Sequence, residues 1–138
     1  MNKKGFTLVE LLAVLVLISL LMGLAIPGIN KISSNMKKRS FNEKVKLIES
    51  SAVLWGQDNK TRLQTTSCTI DGNEVPCYKI EIKELLSENY LDSDNNSGDI
   101  INPIDNSSMK DYCVYVYKEN KRVYAQYQKD KNNCKKNT

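Results

Sequence analysis

From Phe6 to Ile26 the chain is apolar except at Thr7, Glu10, Ser19 and Gly23. As a helix, that run is about 30 Å long, the thickness of a bilayer's hydrocarbon. Pro27-Gly28 follows it. Proline lacks a backbone donor and crowds the preceding turn, so a kink or local loosening is predicted there. Apolar residues then recur at Ile29, Ile32, Met36, Phe41, Val45, Ile48, Ala52 and Trp55, with Lys31, Lys37, Lys38, Arg39 and Lys44 mainly elsewhere. Steps of mostly three and four residues mark an amphipathic helix. The pattern predicts one long helix over residues 6 to 55, interrupted around Pro27 and ended by Gly56.

Beyond it the period changes. Gln57 to Gln64 reads as loop. Cys68 to Cys77 encloses the turn signal Asp71-Gly72, which predicts a stapled hairpin or looped excursion. Ile80 to Leu86, with Tyr90 and Leu91, predicts a short helix, and Asp92 to Asp99 a loop. Cys113 to Tyr117 and Arg122 to Tyr127 alternate as two strands, with Glu119-Asn120 in the turn between them. Lys129 to Cys134 is a loose tail unless Cys134 is tied back.

Length and composition narrow this picture. Of 138 residues, roughly 110 remain for a domain once the apolar run is set aside, enough for one modest core. Residues 1 to 55 carry eight Lys/Arg against three Asp/Glu, residues 56 to 111 five against eleven, and residues 112 to 138 seven against two. Basic ends and an acidic middle allow copies to pair through complementary patches; unevenly solvated surface is an equal reading. The four cysteines, Cys68, Cys77, Cys113 and Cys134, all lie past the apolar run. An even count there indicates two disulfides in an oxidising compartment. Three connectivities are open, and Cys68–Cys77 with Cys113–Cys134 is the most local. With no histidine and no C-x-x-C pair, zinc is disfavoured.

The amino terminus carries the strongest signal. Lys3 and Lys4 precede the apolar run, which holds that end in the cytoplasm and sends the remainder outward. A secretory signal would place small residues after the run; Leu24 to Gly28 offers no persuasive site, whereas Gly5 stands before it. Glu10 is the odd residue, because a carboxylate in a spanning helix costs a few kcal/mol unless paired, hydrated or neutralised. Lying about a turn inside the segment softens that cost.

The stretch Lys3-Lys4-Gly5-Phe6-Thr7-Leu8-Val9-Glu10-Leu11-Leu12 resembles the processing motif of type IV prepilins and pseudopilins. The resemblance implies cleavage between Gly5 and Phe6 by a membrane aspartyl peptidase, followed by N-methylation of Phe6. It further implies an assembly role for Glu10, whose carboxylate attracts the amine freed at Phe6 of a neighbouring subunit, and local melting of the helix at Pro27 within a filament. The fold implied is α+β and type IV pilin-like: a long amino-terminal helix, membrane-spanning then amphipathic, packed on a small antiparallel β head stapled by disulfides. Its expected parts are a cytoplasmic leader (1–5), a transmembrane or filament-core helix (6–28), an amphipathic helix (29–56) and the head (57–138). Beyond residue 28 the likeness is architectural only.

On that resemblance the expected function is a structural subunit of a type IV pilus or pilus-like filament. Alternatives are a pseudopilin of a DNA-uptake or secretion apparatus and a membrane-anchored binding module that never polymerises. Expected partners are copies of itself, minor pilins, the prepilin peptidase, the membrane platform and assembly ATPase machinery, and membrane lipid. The expected location is a single-pass bacterial membrane protein with a cytoplasmic amino terminus, then a cell-surface filament. Lys129, Lys131, Lys135 and Lys136 with Tyr124 and Tyr127 are candidates for DNA contact, against cross-strand packing and a solvated tail. Asp92, Asp94, Asn96 and Asp99 are calcium candidates, but Ser97 stands where an EF-hand needs glycine and Pro103 where it closes with glutamate. A hydrated Asn/Asp loop is the default. Without histidine, a nucleophile motif or a phosphate-binding glycine loop, no reaction site is recognisable and no cofactor is expected.

Overall fold

The computed structural model describes residues 5–134, with the backbone alone for residues 25–27. Two compact units divide at Lys37–Lys38, and helix α1, Leu8–Asp58, contributes to both.

In the first unit every described side chain is exposed, from Phe6 at 88% to Ile18 at 43% among the large apolar residues. A helix apolar on all sides requires a partner that covers it, whether protein or lipid. Among the described residues no single helix is long and apolar enough to cross a membrane. The stretches Leu8–Leu24 and Gly28–Asp58 meet that measure together, by length and composition, as a bent pair. Pro27 lies in the break, among the residues whose side chains are not described.

The second unit holds a four-stranded antiparallel sheet in the order β1-β2-β3-β4: Thr66–Ile70, Asn73–Glu81, Cys113–Glu119 and Arg122–Tyr127. Alternation gives the sheet two different faces. Ile80, Val114 and Val116 bury against Ile48, Ala52 and Trp55 of α1. On the opposite face lie Cys68, Ile70, Cys77, Cys113, Tyr115 and Cys134, joined as the disulfides Cys68–Cys77 and Cys113–Cys134. The most local pairing therefore holds, and Cys134 is tied back through a short 3-10 turn, Lys131–Cys134.

Three local expectations shift. Gly56 sits inside α1, which runs on to Asp58. A Cβ at Gly56 would meet Val116 Cγ1 at 2.6 Å and Val123 Cγ1 at 2.8 Å, so the glycine permits close approach of helix and sheet. Ile80 and Glu81 extend β2, because Ile80 pairs with Val114 and is fully buried; the short helix α2 is Ile82–Ser87. The β3–β4 turn falls at Asn120-Lys121, with Glu119 paired to Arg122. Both turn residues have positive φ, 49° and 68°, as a type I′ hairpin demands. The Asp71-Gly72 turn does the same with the preferred glycine.

Trp55 is fully buried, and its indole N–H donates to Glu88 Oε2 at 2.7 Å, the partner a buried indole needs. The long α2–β3 connection inserts Leu91, Ile100 and Met109 into the same core. It is fastened to α1 by Lys44, which pairs with the Asp94 carboxylate and donates to the Ile101 carbonyl at 2.9 Å. Burial works against ionisation of Asp94, yet the Ile101 amide and the Lys44 ammonium outweigh it and hold the carboxyl below its ordinary 3.8.

Gly56→Ala should lower the stability of the head by about 1–2 kcal/mol, the overpacking cost less the helix propensity gained, read from urea midpoints on the full chain in mild detergent. Because the folded-state pKa of Asp94 is depressed, its contribution is complete above the ordinary carboxylate value and fades as pH falls through the folded one. Wild type should thus lose stability on acidification below about pH 4 more steeply than Asp94→Asn, which starts about 1 kcal/mol lower at neutral pH; parallel acid-melting curves would count against the clamp.

Candidate functional site

Residues 5–7 precede α1 and are not helical. At this junction Thr7 and Glu10 exchange hydrogen bonds. The Thr7 N–H donates to Glu10 Oε2 at 3.2 Å, and the Glu10 N–H donates to Thr7 Oγ1 at 3.3 Å. The Thr7 carbonyl accepts from the Leu11 N–H at 3.2 Å, opening the helical ladder. Thr-x-x-Glu is therefore a capping box, satisfying two donors that a helix start otherwise leaves open. It also sets a carboxylate beside the positive end of the helix dipole. Glu10, which by sequence lacks an evident partner in its own chain, has one three residues away. The signal lies in the spacing of Thr7 and Glu10, hidden by the apolar residues around them.

The cap fixes where helix begins, and so what lies outside it. The Gly5–Phe6 bond falls in the non-helical stretch, with Phe6 exposed. A Cβ at Gly5 would meet no atom within 4 Å, so the described chain imposes no demand for a small residue there. Lys3 and Lys4 lie outside the described residues.

The calcium candidates do not converge. Asp94 is taken by Lys44 and by the Ile101 N–H at 2.8 Å. Asp99 Oδ1 accepts from the Ile100 N–H at 2.9 Å and from the Ser108 hydroxyl. The loop is closed by Asn95, whose Oδ1 accepts from the Ser97 and Asp99 N–H groups, while Asp92 and Asn96 are exposed. Among the described residues no group of three acidic or sulfur side chains is placed to hold a metal ion.

Both tyrosines of the set suggested for DNA are engaged in ring contacts. Tyr127 packs against Phe41 and Tyr112, and burial, with Tyr112 beside it, pushes its hydroxyl up to about 12. Tyr124 stacks on Tyr117, and the Lys131 ammonium lies over the Tyr112 ring. Lys129 is exposed; Lys135 and Lys136 lie outside the described residues. Tyr124 thus packs between strands, and Tyr127 between α1 and the residue that precedes β3.

Comparison with known proteins agrees with the amino-terminal reading. Residues 1–26 match the family described as Prokaryotic N-terminal methylation motif. Over 95 residues the chain is 32% identical to Competence protein ComGC of Bacillus subtilis (strain 168), covering 68% of this chain and 80% of that protein. It is 30% identical over 59 residues to the ComG operon protein 3 homolog of Bacillus licheniformis, covering 43% of this chain and 61% of the relative. No solved structure matches the chain at comparable significance. A methylation motif on a capped apolar helix, a disulfide-bonded antiparallel head and a relative matched over two thirds of the chain lead to one conclusion: the protein belongs to the type IV pilin-like family.

Proposed function

We propose that the chain is a structural, non-enzymatic subunit of a competence pseudopilus, a short type IV pilin-like filament that serves DNA uptake. The observation that carries this reading is the predominantly apolar stretch Leu8–Leu24 of α1, whose side chains are all exposed. Such a surface is stable only within lipid or among like helices. A filament subunit needs both in turn: lipid before assembly and its neighbours afterwards. The competence assignment follows the relatives' names.

In this reading prepilin peptidase cuts the exposed Gly5–Phe6 bond and methylates the new amine at Phe6. The cut leaves a cation four residues from Glu10. Across neighbouring helices in a low-dielectric bundle, that pair would set the register of addition, although desolvation removes much of its net energy. Minor pilins, a membrane platform and an assembly ATPase complete the expected machinery. Residues 6–28 would span the membrane and then form the filament core, with Pro27 as the point of loosening.

Intact mass of the protein in sheared surface filaments should show loss of residues 1–5 and gain of one methyl group; an uncut, monomeric membrane protein would defeat the proposal. Two substitutions separate the roles of Glu10. Glutamine preserves a capping box but removes the charge, whereas alanine removes both. Cleavage should survive in Glu10→Gln and Glu10→Ala alike, and filament yield should fall at least about tenfold in both, as an ion pair governing addition requires. Normal filaments from Glu10→Gln would assign the residue to capping alone.

A further inference from the structure

Lys60, on the 3-10 turn Lys60–Arg62 that follows α1, meets Lys121 and Arg122 of the β3–β4 turn around one open recess of about 410 Å³, completed by Gln57 and Val123. The two cationic segments are distant in sequence and converge only in the fold. No acidic side chain lines the recess, and among the described residues none of the three cations is in an ion pair. Glu119 faces Arg122 in the strand register without pairing to it. Asp58, close by in sequence, instead accepts the Tyr90 hydroxyl at 2.7 Å. On the same 3-10 turn, Arg62 borders a second recess that also lacks acids.

Lys121 adds an independent sign. It holds φ of 68° at the second position of a type I′ turn, where glycine is the strongly preferred residue. A lysine there costs backbone strain that glycine would avoid, in a position that places its charge at the recess.

We propose that Lys60, Lys121 and Arg122 form a binding site for the phosphate backbone of duplex DNA. The recess is open and its cations are exposed, so a single small anion would stay hydrated and weakly held. A polyanion gains instead from counterion release at every cation it meets. No aromatic side chain lines the recess, so the site offers charge and no stacking platform, and binding is independent of sequence. The site deepens the uptake reading and rests on it for its biological setting, though not for its geometry.

The test uses the full chain in detergent with a labelled duplex, followed by fluorescence anisotropy between about 50 and about 200 mM salt. The variant Lys60→Gln/Lys121→Gly/Arg122→Gln should bind about tenfold or more weakly, with a salt slope shallower by about 2 to 3. Lys46→Gln/Lys110→Gln, which removes exposed charge elsewhere, should change affinity less than about twofold. Lys121→Gly alone should leave the urea midpoint unchanged or higher, which separates lost binding from lost folding. Equal losses in the two multiple variants, or unchanged binding in the triple variant, would overturn the site. So would a triple variant that binds DNA normally but forms no filaments, since the recess would then be a contact for the acidic part of a neighbouring copy. A deletion strain that still takes up DNA, alongside recess-dependent binding in vitro, would leave the site standing and remove the uptake reading.

Discussion

An apolar helical stretch whose described side chains are all exposed is the constraint on which the rest of this molecule depends. The side chains from Phe6 to Leu24 are exposed throughout, while the core begins at Phe41, on the far side of the division at Lys37–Lys38. The same helix α1 therefore has two employments. Up to Lys37 every described side chain is exposed, and residues from Phe41 onward supply the central rib of the head. A chain of 138 residues can build one small core, and this one builds it entirely from the second half of α1 and the elements after that helix. The hydrophobic energy of the first half is left for an environment outside the chain.

The head solves a matching problem on a smaller scale. A lone four-stranded sheet has two faces, and α1 covers one of them. Gly56 lets the helix settle so near that Val116 and Val123 occupy the space a Cβ would need. Among the described residues, no second layer of helix or sheet protects the other face. Two disulfides stand there instead, among Ile70, Tyr115 and the flanking Val75 and Tyr117. They are cross-links, and they are also apolar cover. One spans the β1–β2 hairpin and the other holds the carboxyl-terminal turn against β3. The oxidising compartment inferred from the cysteine count is thus a condition for closing the sheet's second face.

What can be read from the sequence divides by the range of the interaction. The long helix, the hairpin strands, the stapled head and the cleavage motif are legible because each is written in local spacing: steps of three and four, alternation by two, a Gly-Phe bond before an apolar run. The most local disulfide pairing also holds. Local signs mislead where tertiary contact overrides them. Gly56 looks like a helix stop and is a packing accommodation; Ile80 looks helical and is a strand residue because Val114 lies opposite. The Asn120-Lys121 turn reads one residue early, since lysine is a poor advertisement for positive φ. Neither the Lys44–Asp94 clamp nor the meeting of Lys60 with Lys121 and Arg122 leaves any trace in local spacing, because each joins segments about fifty or more residues apart.

Glu10 is a local capping device in the structure, and under the proposed function the same side chain would also serve assembly. In the lone chain its carboxylate accepts from the Thr7 N–H, while its own N–H is satisfied by the Thr7 hydroxyl. The residue therefore needs no second subunit to be accommodated at the start of the helix. Under the proposed processing, cleavage adds a cation at Phe6, directly beside this cap, without adding a residue. A carboxylate keeps lone pairs free while it accepts one backbone hydrogen bond, so Glu10 can hold its own helix end and still attract an amine across an interface. The net energy of that attraction is modest after desolvation, but its direction is not ambiguous: it favours one register over those that leave the two charges apart. The capping box orients Glu10 before the partner arrives, lowering the ordering cost of the contact. In the proposed assembly, a residue whose cost in lipid first looks like a defect would be positioned in advance for the step that uses it.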